Sequence, residues 1–324
     1  MHRTRSRALL SRLALLTGVA AAAIGLAGSV VGTPAAAESE GEVAYVRRTV
    51  SGGGDIYATT ADGRRTRRIT RSYRREQDLA VSPDGAWIAF TMRDPGTTGG
   101  FFSSSIWVVA AAGGRPSRLT HGGSDHDPAW ADDGRTLLFS RVRVRPHDDA
   151  ADEIDSVSLA TSSIETLVPS EFGHEDGTCE DDLAPWPGRG LTVFIHVTSC
   201  FRDRGGHPAM AVDSRGRVTK VLPWLESVDF VSDPAISPDG RRIAYYAEFI
   251  DGREADVFVA LVDGSRRIRL HATGAPSWSP DGSRLAVVRN GDIWLVHPDG
   301  SAGRRLTAAR NMEESPVWLS DRSR

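Results

Sequence analysis

The chain has 324 residues, 40% of them hydrophobic and 25% charged, and its formal net charge is −3. This composition suits a globular protein of one or two domains. The net negative charge argues against a nucleic-acid-binding protein.

The first 37 residues differ from the rest of the chain and have the layout of a signal peptide. Four arginines precede an apolar run at 13–31, and three alanines stand at 35–37. A basic start, an apolar centre and small residues before the cleavage site are the marks of secretory signals. We expect cleavage after Ala37 and an exported, secreted or envelope-associated product, with an uncleaved membrane anchor as the alternative.

After this segment a short motif recurs, in which an apolar residue precedes a Ser-Pro-Asp-Gly turn or a degenerate form of it. The six copies begin at Val81, Trp130, Trp186, Ile236, Trp278 and Trp318. Pro, Asp and Gly suit successive positions of a tight turn, and Gly takes the left-handed position. Each copy therefore predicts two antiparallel strands, A and B, joined by a short hairpin.

Two more strand patterns follow in the repeating unit. Asp-Ile-Tyr at 55–57 is typical of strand C, and Arg-Ile-Thr at 68–70 is typical of strand D. In the divergent third and fourth units, strand D is expected at 164–168 and 218–222. Copies spaced about 40 to 56 residues apart have the length of a propeller blade. The fold class predicted is all-β, a six-bladed β-propeller of four-stranded antiparallel blades.

The two ends of the chain predict how the ring closes. The last A strand, at 315–318, has no B, C or D strand after it. Residues 42–46 form a B pattern with no A strand before it. Pairing of the N- and C-terminal strands in one blade would complete the set and protect the sheet edges. We therefore expect residues 38–324 to form one domain.

The stretch Trp-Ser-Pro-Asp-Gly-Ser-Arg-Leu-Ala at 278–286, with Asp-Ile-Trp at 292–294 and Arg-Leu-Thr at 305–307, resembles the TolB-like β-propeller repeat family. The resemblance covers 42–322 and implies a propeller that acts as a periplasmic partner of envelope proteins. The α/β domain that precedes the propeller in TolB is not expected here. A Gly-x-Ser-x-Gly hydrolase motif is absent from the sequence.

Four aspartates near the start of the A strands are the best binding candidates. They are Asp78, Asp127, Asp182 and Asp233. In a propeller these positions surround one mouth of the central channel, where converging carboxylates would attract a cation, an arginine-rich segment or a peptide amino terminus. The alternative is that each Asp caps its own loop by accepting bonds from backbone N–H groups.

Asp125 and His126 are secondary candidates, because His and Asp are residue types of metal and acid–base sites. Their spacing matches no known metal motif. We expect no cofactor, with calcium or another divalent metal as the alternative.

Cys179 and Cys200 are nearly symmetric about a predicted hairpin in the third blade. In an exported chain this arrangement predicts a disulfide bond. Seven arginines between Arg64 and Arg75 predict a basic rim, solvated or in contact with anionic wall polymers or lipid headgroups.

Together these features predict an exported, monomeric, non-catalytic propeller that binds another protein or a peptide through its long-loop face. The alternative is a metal-dependent lyase or lactonase, or a glycan-binding lectin, that uses the same channel mouth.

Overall fold

The computed structural model describes residues 41–95, 103–144, 150–169, 181–188, 191–197, 209–213, 218–221, 230–249, 253–301 and 303–319. Contacts divide the chain into two units, 1–38 and 39–324, and every described residue lies in the second. The regular elements in these ranges are all β-strands. No helix with the length and apolar character of a membrane span occurs in them.

The described residues contain 24 strands, distributed over five sheets. One sheet holds both ends of the chain, in the order β24 (Glu313–Leu319), β1 (Glu42–Arg48), β2 (Gly54–Thr60) and β3 (Thr66–Arg68). An eight-stranded sheet contains β4 (Glu76–Val81), β5 (Trp87–Arg93), β6 (Ser104–Ala110), β7 (Ser117–Arg118), β8 (Ser124–Trp130), β9 (Thr136–Val144), β10 (Ala150–Ser158) and β11 (Ile164–Val168). The remaining three sheets are four-stranded. The first contains β12 (Asp181–Gly188), β13 (Leu191–Val197), β14 (Ala209–Asp213) and β15 (Val218–Val221). The second contains β16 (Phe230–Ile236), β17 (Arg242–Glu248), β18 (Asp256–Leu261) and β19 (Ile268–Arg269), and the third contains β20 (Thr273–Trp278), β21 (Leu285–Arg289), β22 (Asp292–Val296) and β23 (Arg304–Arg305).

Within the described sheets, consecutive strands pair antiparallel, as the repeat predicts. The eight-stranded sheet is joined at its middle by one parallel bridge, between Ser104 and Ser124. The first strands of the repeats contact one another in the order β4, β8, β12, β16, β20 and β24, and β24 contacts β4 again. These strands therefore form a closed ring, with the other strands of each sheet outside it.

The ends of the chain meet in one sheet, which confirms the predicted closure. Strand β24 pairs antiparallel with β1, and Trp318 lies opposite Val43. Trp318 also belongs to an apolar cluster that includes Tyr45 of β1 and Ile293 of β22. The closing sheet is thus fastened by backbone pairing within the sheet and by side-chain packing against its neighbour.

The Ser-Pro-Asp-Gly turns are closed by their own side chains. Ser82 Oγ donates to Asp84 Oδ1 over 2.5 Å, and the backbone N–H of Trp87 donates to Ser82 Oγ over 2.9 Å. Gly85 has the predicted left-handed backbone, with φ of 66°. The same Ser–Asp bond recurs at Ser237 and Ser279. A local hydrogen-bond pattern therefore sets the register of these three A–B pairs.

Threonines at the ends of D strands hold two neighbouring strands at once. Thr70 Oγ1 accepts a bond from the Ile56 N–H over 2.8 Å and donates to Glu76 Oε2 over 2.6 Å. Thr307 is bonded in the same way to Ile293 N–H and Glu313. Glu76 and Glu313 are fully buried. Each threonine thereby connects strand C of one sheet to the first strand of the next.

Glu76→Gln should change how stability depends on pH. Burial raises the pKa of Glu76 from 4.5 to about 7, and the charge of Asp55 adds to this. The unfolded chain loses this proton near pH 4.5 and the folded chain retains it to about pH 7, so wild-type stability falls across that interval. Relative to wild type, the variant should gain up to about 3 kcal/mol between pH 4.5 and 8, measured by urea unfolding. The exposed Glu165→Gln is the control, and identical pH profiles for wild type and Glu76→Gln would contradict the expectation.

Candidate functional site

Each innermost strand of the ring contains an irregularity in its pairing with the next strand. In five of the strands a described residue at this bulge has positive φ: Asp78, Asp127, Asp233, Gly274 and Ser315, with φ of 51°, 50°, 50°, 70° and 51°. The third strand, β12, is irregular between Leu183 and Trp186. Bulges of this kind redirect side chains and are frequent beside functional sites.

Aspartate suits this backbone position. Residues with a Cβ rarely adopt positive φ, but Asp and Asn tolerate it better than other non-glycine residues. Proline follows the bulged residue in two of the three strands that have Asp at the bulge, and these prolines are Pro128 and Pro234. Proline donates no backbone hydrogen bond and is found in sheets at bulges. An Asp-Pro-Ala sequence directly before the first residue of a motif copy, such as Trp130 or Ile236, therefore encodes the bulge locally.

The three bulge aspartates lie within range of one another's charge. Burial and, to a lesser extent, the charges of Asp78 and Asp233 raise the pKa of Asp127 to about 7, while His126 opposes them. The pKa of Asp233 is raised by burial and by the charge of Asp78, against a hydrogen bond from Ser232. All three side chains remain partly accessible to solvent. The structure therefore brings together three of the four aspartates that the sequence singled out.

His126 adds a positively charged group beside Asp127. Its Nε2 lies 3.5 Å from Asp152 Oδ1, and its Nδ1 lies 3.4 Å from the Ser124 carbonyl oxygen. Burial lowers the pKa of His126, but the charges of Asp127, Asp152 and Asp78 outweigh it, and the net shift is upward. With more carboxylates than imidazoles, the cluster carries net negative charge near neutral pH. Protonation of Asp127, whose pKa is about 7, reduces that charge as the pH falls below neutrality.

The hydrogen bonds of the bulge aspartates come from neighbouring side chains. Gln77 Nε2 donates to Asp78 Oδ2 over 3.0 Å, and Ser232 Oγ donates to Asp233 Oδ2 over 2.8 Å. Among the described residues, no backbone N–H group donates to the carboxylate of Asp78, Asp127 or Asp233. A loop-capping aspartate would accept hydrogen bonds from backbone N–H groups, whereas the hydrogen bonds to Asp78 and Asp233 come from side chains.

Asp125 has a different environment from the other candidates. Its two carboxylate oxygens accept bonds of 2.6 and 2.9 Å from Arg141, and both residues are buried. Arg141 also lies 3.1 Å from Asp155. Because Asp125 is buried and both of its carboxylate oxygens are bonded to Arg141, we assign it a structural role.

Several other predicted residues lie at the limits of the described chain. Asp182 pairs with His196 in the β12–β13 ladder, but its side chain is outside the description. Cys179 and Cys200 lie outside the described residues, and their disulfide stays a prediction. In the arginine run, Arg67 pairs with Glu42 and Arg68 with Asp55.

Sequence reasoning missed two features of this site. Asp152, which was not among the candidates, lies in β10 beside His126. Ser315 was assigned only to the final A strand, whereas it occupies the bulge position equivalent to Asp127. Its Ser-Pro-Val-Trp sequence matches Asp-Pro-Ala-Trp at 127–130, and that alignment was the available signal.

A metal centre is not assembled by the part of the chain that the structure describes. In that part, no three His, Cys, Asp or Glu side chains are grouped closely enough to hold one metal ion. The alternatives of a calcium site and a metal-dependent enzyme stay predictions.

Comparisons with known proteins agree with the fold. No protein-family model matches the chain. The uncharacterized protein Atu1656 of Agrobacterium fabrum is 27% identical over 232 residues, 65% of this chain and 69% of that protein. The Tol-Pal system protein TolB of Anaeromyxobacter dehalogenans is 41% identical over 145 residues, 43% of this chain and 33% of that protein. The match thus spans only about a third of that TolB.

Among solved structures, TolB from Acinetobacter baumannii superposes with a TM-score of 0.65 at 18% identity, covering 86% of this chain and 66% of that one. A likeness at this identity concerns the fold. The closed ring of antiparallel sheets defines the chain as a β-propeller protein. Its repeat is similar to that of TolB proteins, and its fold matches that of a solved TolB structure.

Proposed function

We propose that this chain is an exported, six-bladed propeller that binds a protein or peptide at the channel mouth formed by the bulge aspartates. Residues 1–37 would act as the signal peptide and residues 38–324 as the propeller domain. The signal layout at the start of the sequence supports export. Relatives that carry the name Tol-Pal system protein TolB support an envelope location and a protein partner.

The blade count rests on the ring of innermost strands. Six such strands, β4, β8, β12, β16, β20 and β24, each begin a set of four strands. The eight-stranded sheet counts as two blades, β4–β7 and β8–β11, because only the Ser104–Ser124 bridge joins them. Propellers of four to eight blades are built from four-stranded sheets in this way.

The observation that carries the binding proposal is the mutual influence of Asp78, Asp127 and Asp233. Burial, together with the charges of Asp78 and Asp233, raises the pKa of Asp127 to about 7, and ionising this group costs free energy that a bound cation would recover. The three positive-φ bulges indicate strain maintained at this mouth. A lysine or arginine side chain, or a peptide amino terminus, supplies the matching charge. The partner is therefore proposed to insert a cationic group into the mouth.

Crosslinking of the tagged mature protein in its native envelope, followed by mass spectrometry, tests this proposal. The test variant is Asp127→Asn/Asp233→Asn, because Asn keeps the side-chain shape and tolerates positive φ while removing the charge. We expect recovery of the partner to fall at least about tenfold, as loss of charge-assisted bonds implies. Recovery should also rise from pH 6 to pH 8, because Asp127, with a pKa of about 7, ionises over this interval.

A variant with the same change in charge on the opposite face serves as the control. Asp132→Asn/Asp299→Asn changes two exposed aspartates in the short turns and should leave recovery unchanged. Equal recovery of the same partner with both double variants would refute binding through the acidic mouth.

A further inference from the structure

A polar cavity, whose lining includes none of the bulge aspartates, lies between the closing sheet and its neighbour. Its volume is about 510 Å³, within the usual range for small-molecule sites. The closing sheet contributes Arg47, Gly63 and Thr66 to its lining, and the segment after β23 contributes residues 306–311. The cavity thus joins residues that are more than 250 positions apart in the sequence.

Arg47 is held rigidly in the wall of this cavity. Its Nε donates to Glu313 Oε1 over 2.9 Å, and its NH2 group donates to the Tyr45 hydroxyl over 3.1 Å. The guanidinium carbon lies 4.4 Å from the centre of the Tyr57 ring. Two polar anchors and one aromatic face therefore fix the plane of the guanidinium group before any ligand arrives.

A chain of hydroxyl groups continues from Arg47 along the same wall. The Tyr45 hydroxyl bonds Thr59 Oγ1 over 2.9 Å, and Thr59 Oγ1 bonds Thr66 Oγ1 over 2.9 Å. Tyr45 and Thr59 are buried, whereas Thr66 is exposed at the cavity. The polar groups deep in the sheet are thus mutually satisfied, and Thr66 presents the end of the chain to the cavity.

The segment after β23 adds a second cation to the lining. Arg310 and Asn311 line the cavity and are exposed, and Arg310 forms no ion pair with a described residue. Glu313, which is not part of the lining, is fully buried and already bonded to Arg47 and Thr307. Asp62, beside Gly63 at the rim, lies 3.6 Å from Arg64. The cavity therefore offers guanidinium and amide donors without an unpaired carboxylate among the groups that line it.

From this arrangement we infer that the cavity binds a small anionic ligand whose carboxylate or phosphate group lies between Arg47 and Arg310. Guanidinium groups match the geometry of both oxyanions, and Asn311 and Thr66 supply donors or acceptors for hydroxyl groups. A volume of about 510 Å³ accommodates a molecule with one or two sugar rings. An acidic or phosphorylated sugar is the ligand class that uses the whole lining. This site is separate from the acidic mouth, whose bulge aspartates would repel such a ligand.

Isothermal titration calorimetry on the mature protein tests the inference with three probes. Glucuronate carries a carboxylate, glucose 6-phosphate carries a phosphate, and glucose carries no charge. We expect one or both charged sugars to bind and glucose not to bind. Arg310→Ala should weaken the binding about tenfold or more, because a charge-assisted bond is lost from an exposed residue that the fold does not require. Preference for glucuronate or for glucose 6-phosphate would identify the natural source as a sugar acid or a sugar phosphate.

Two further variants make the result decisive. Arg47→Lys retains the charge but removes the planar fork, and it should also weaken binding. The exposed Arg241→Ala, in a short turn of another sheet, is the matched control and should bind as wild type does. Absence of binding by both charged sugars at millimolar concentration, equal binding of glucose, or unchanged affinity in Arg310→Ala would overturn the inference.

Discussion

Ending the chain at residue 312, which removes strand β24, should leave the propeller unfolded or aggregated at room temperature. Strand β24 pairs with β1 and contacts both β4 and β20, so its loss opens the ring on two sides. It also removes Trp318 and Leu319, which are 8% and 5% exposed, from two apolar clusters. Burial of each such side chain contributes about 1.5–3 kcal/mol.

The remaining chain would also expose an unpaired edge. Strand β1 would present its free backbone groups, and exposed edges promote pairing between molecules. Because a typical domain is stable by about 5–15 kcal/mol, loss of two apolar anchors and a full ladder of hydrogen bonds approaches the whole stability. The single substitution Trp318→Ala should cost about 3–5 kcal/mol by itself.

Circular dichroism with thermal melting, and size-exclusion chromatography, would measure this effect. A chain ending at residue 319 keeps β24 complete and serves as the control, which should melt as the full-length mature protein does. If the chain ending at 312 melted cooperatively at the temperature of the control, closure by β24 would not contribute to stability.

Arg141→Ala should lower the free energy of unfolding by about 3–5 kcal/mol. Arg141 bonds both oxygens of Asp125 and lies 3.1 Å from Asp155, and both carboxylates are fully buried. Removing the guanidinium leaves two adjacent buried carboxylates, which repel each other and have lost their main counter-charge. Arg143 lies 3.5 Å from Asp155 and compensates only in part.

Urea unfolding of the mature protein at pH 7 measures this loss. The control is Arg135→Ala, which removes an exposed arginine at the turn before β9 and should change the stability by less than about 0.5 kcal/mol. A triple variant, Arg141→Met with Asp125→Asn and Asp155→Asn, should be more stable than Arg141→Ala, because its buried carboxylate charges are absent. Arg141→Ala and Arg135→Ala proteins with the same urea midpoint would contradict the assigned role of this cluster.

The strands and turns were predictable because their signals are local. The Ser-Pro-Asp-Gly turns close through residues two to five positions apart, such as Ser82 and Asp84, and alternating apolar residues mark the flanking strands. Even the divergent D strand at 164–168 was placed at its observed bounds. The missing partner strands at the two ends also predicted the pairing of β1 with β24. The repeat made this long-range contact predictable, because comparison with the complete units shows which strands are missing at the two ends of the chain.

The candidate site was predictable only in part. Equivalent positions in a repeat converge at the channel, so Asp78, Asp127 and Asp233 could be grouped without a structure. Their positive-φ bulges, and the shared environment that raises the pKa of Asp127 to about 7, depend on how neighbouring strands pack. Asp125 and Asp127 are two residues apart and would share one face of a regular strand, yet the bulge between His126 and Ala129 redirects Asp127 and leaves Asp125 bonded to Arg141.

The sequence by itself determined the repeating strand order, the turn chemistry and the way in which the ends complete one another, because each follows from residues close together or from comparison between repeats. Tertiary structure alone decided which charges are paired and which face open space. The Arg141 cluster and the cavity between Arg47 and Arg310 join side chains from different strands and sheets, and no local pattern encodes such distances. Burial then fixes their chemistry, since a charge removed from water must find a partner or change its pKa.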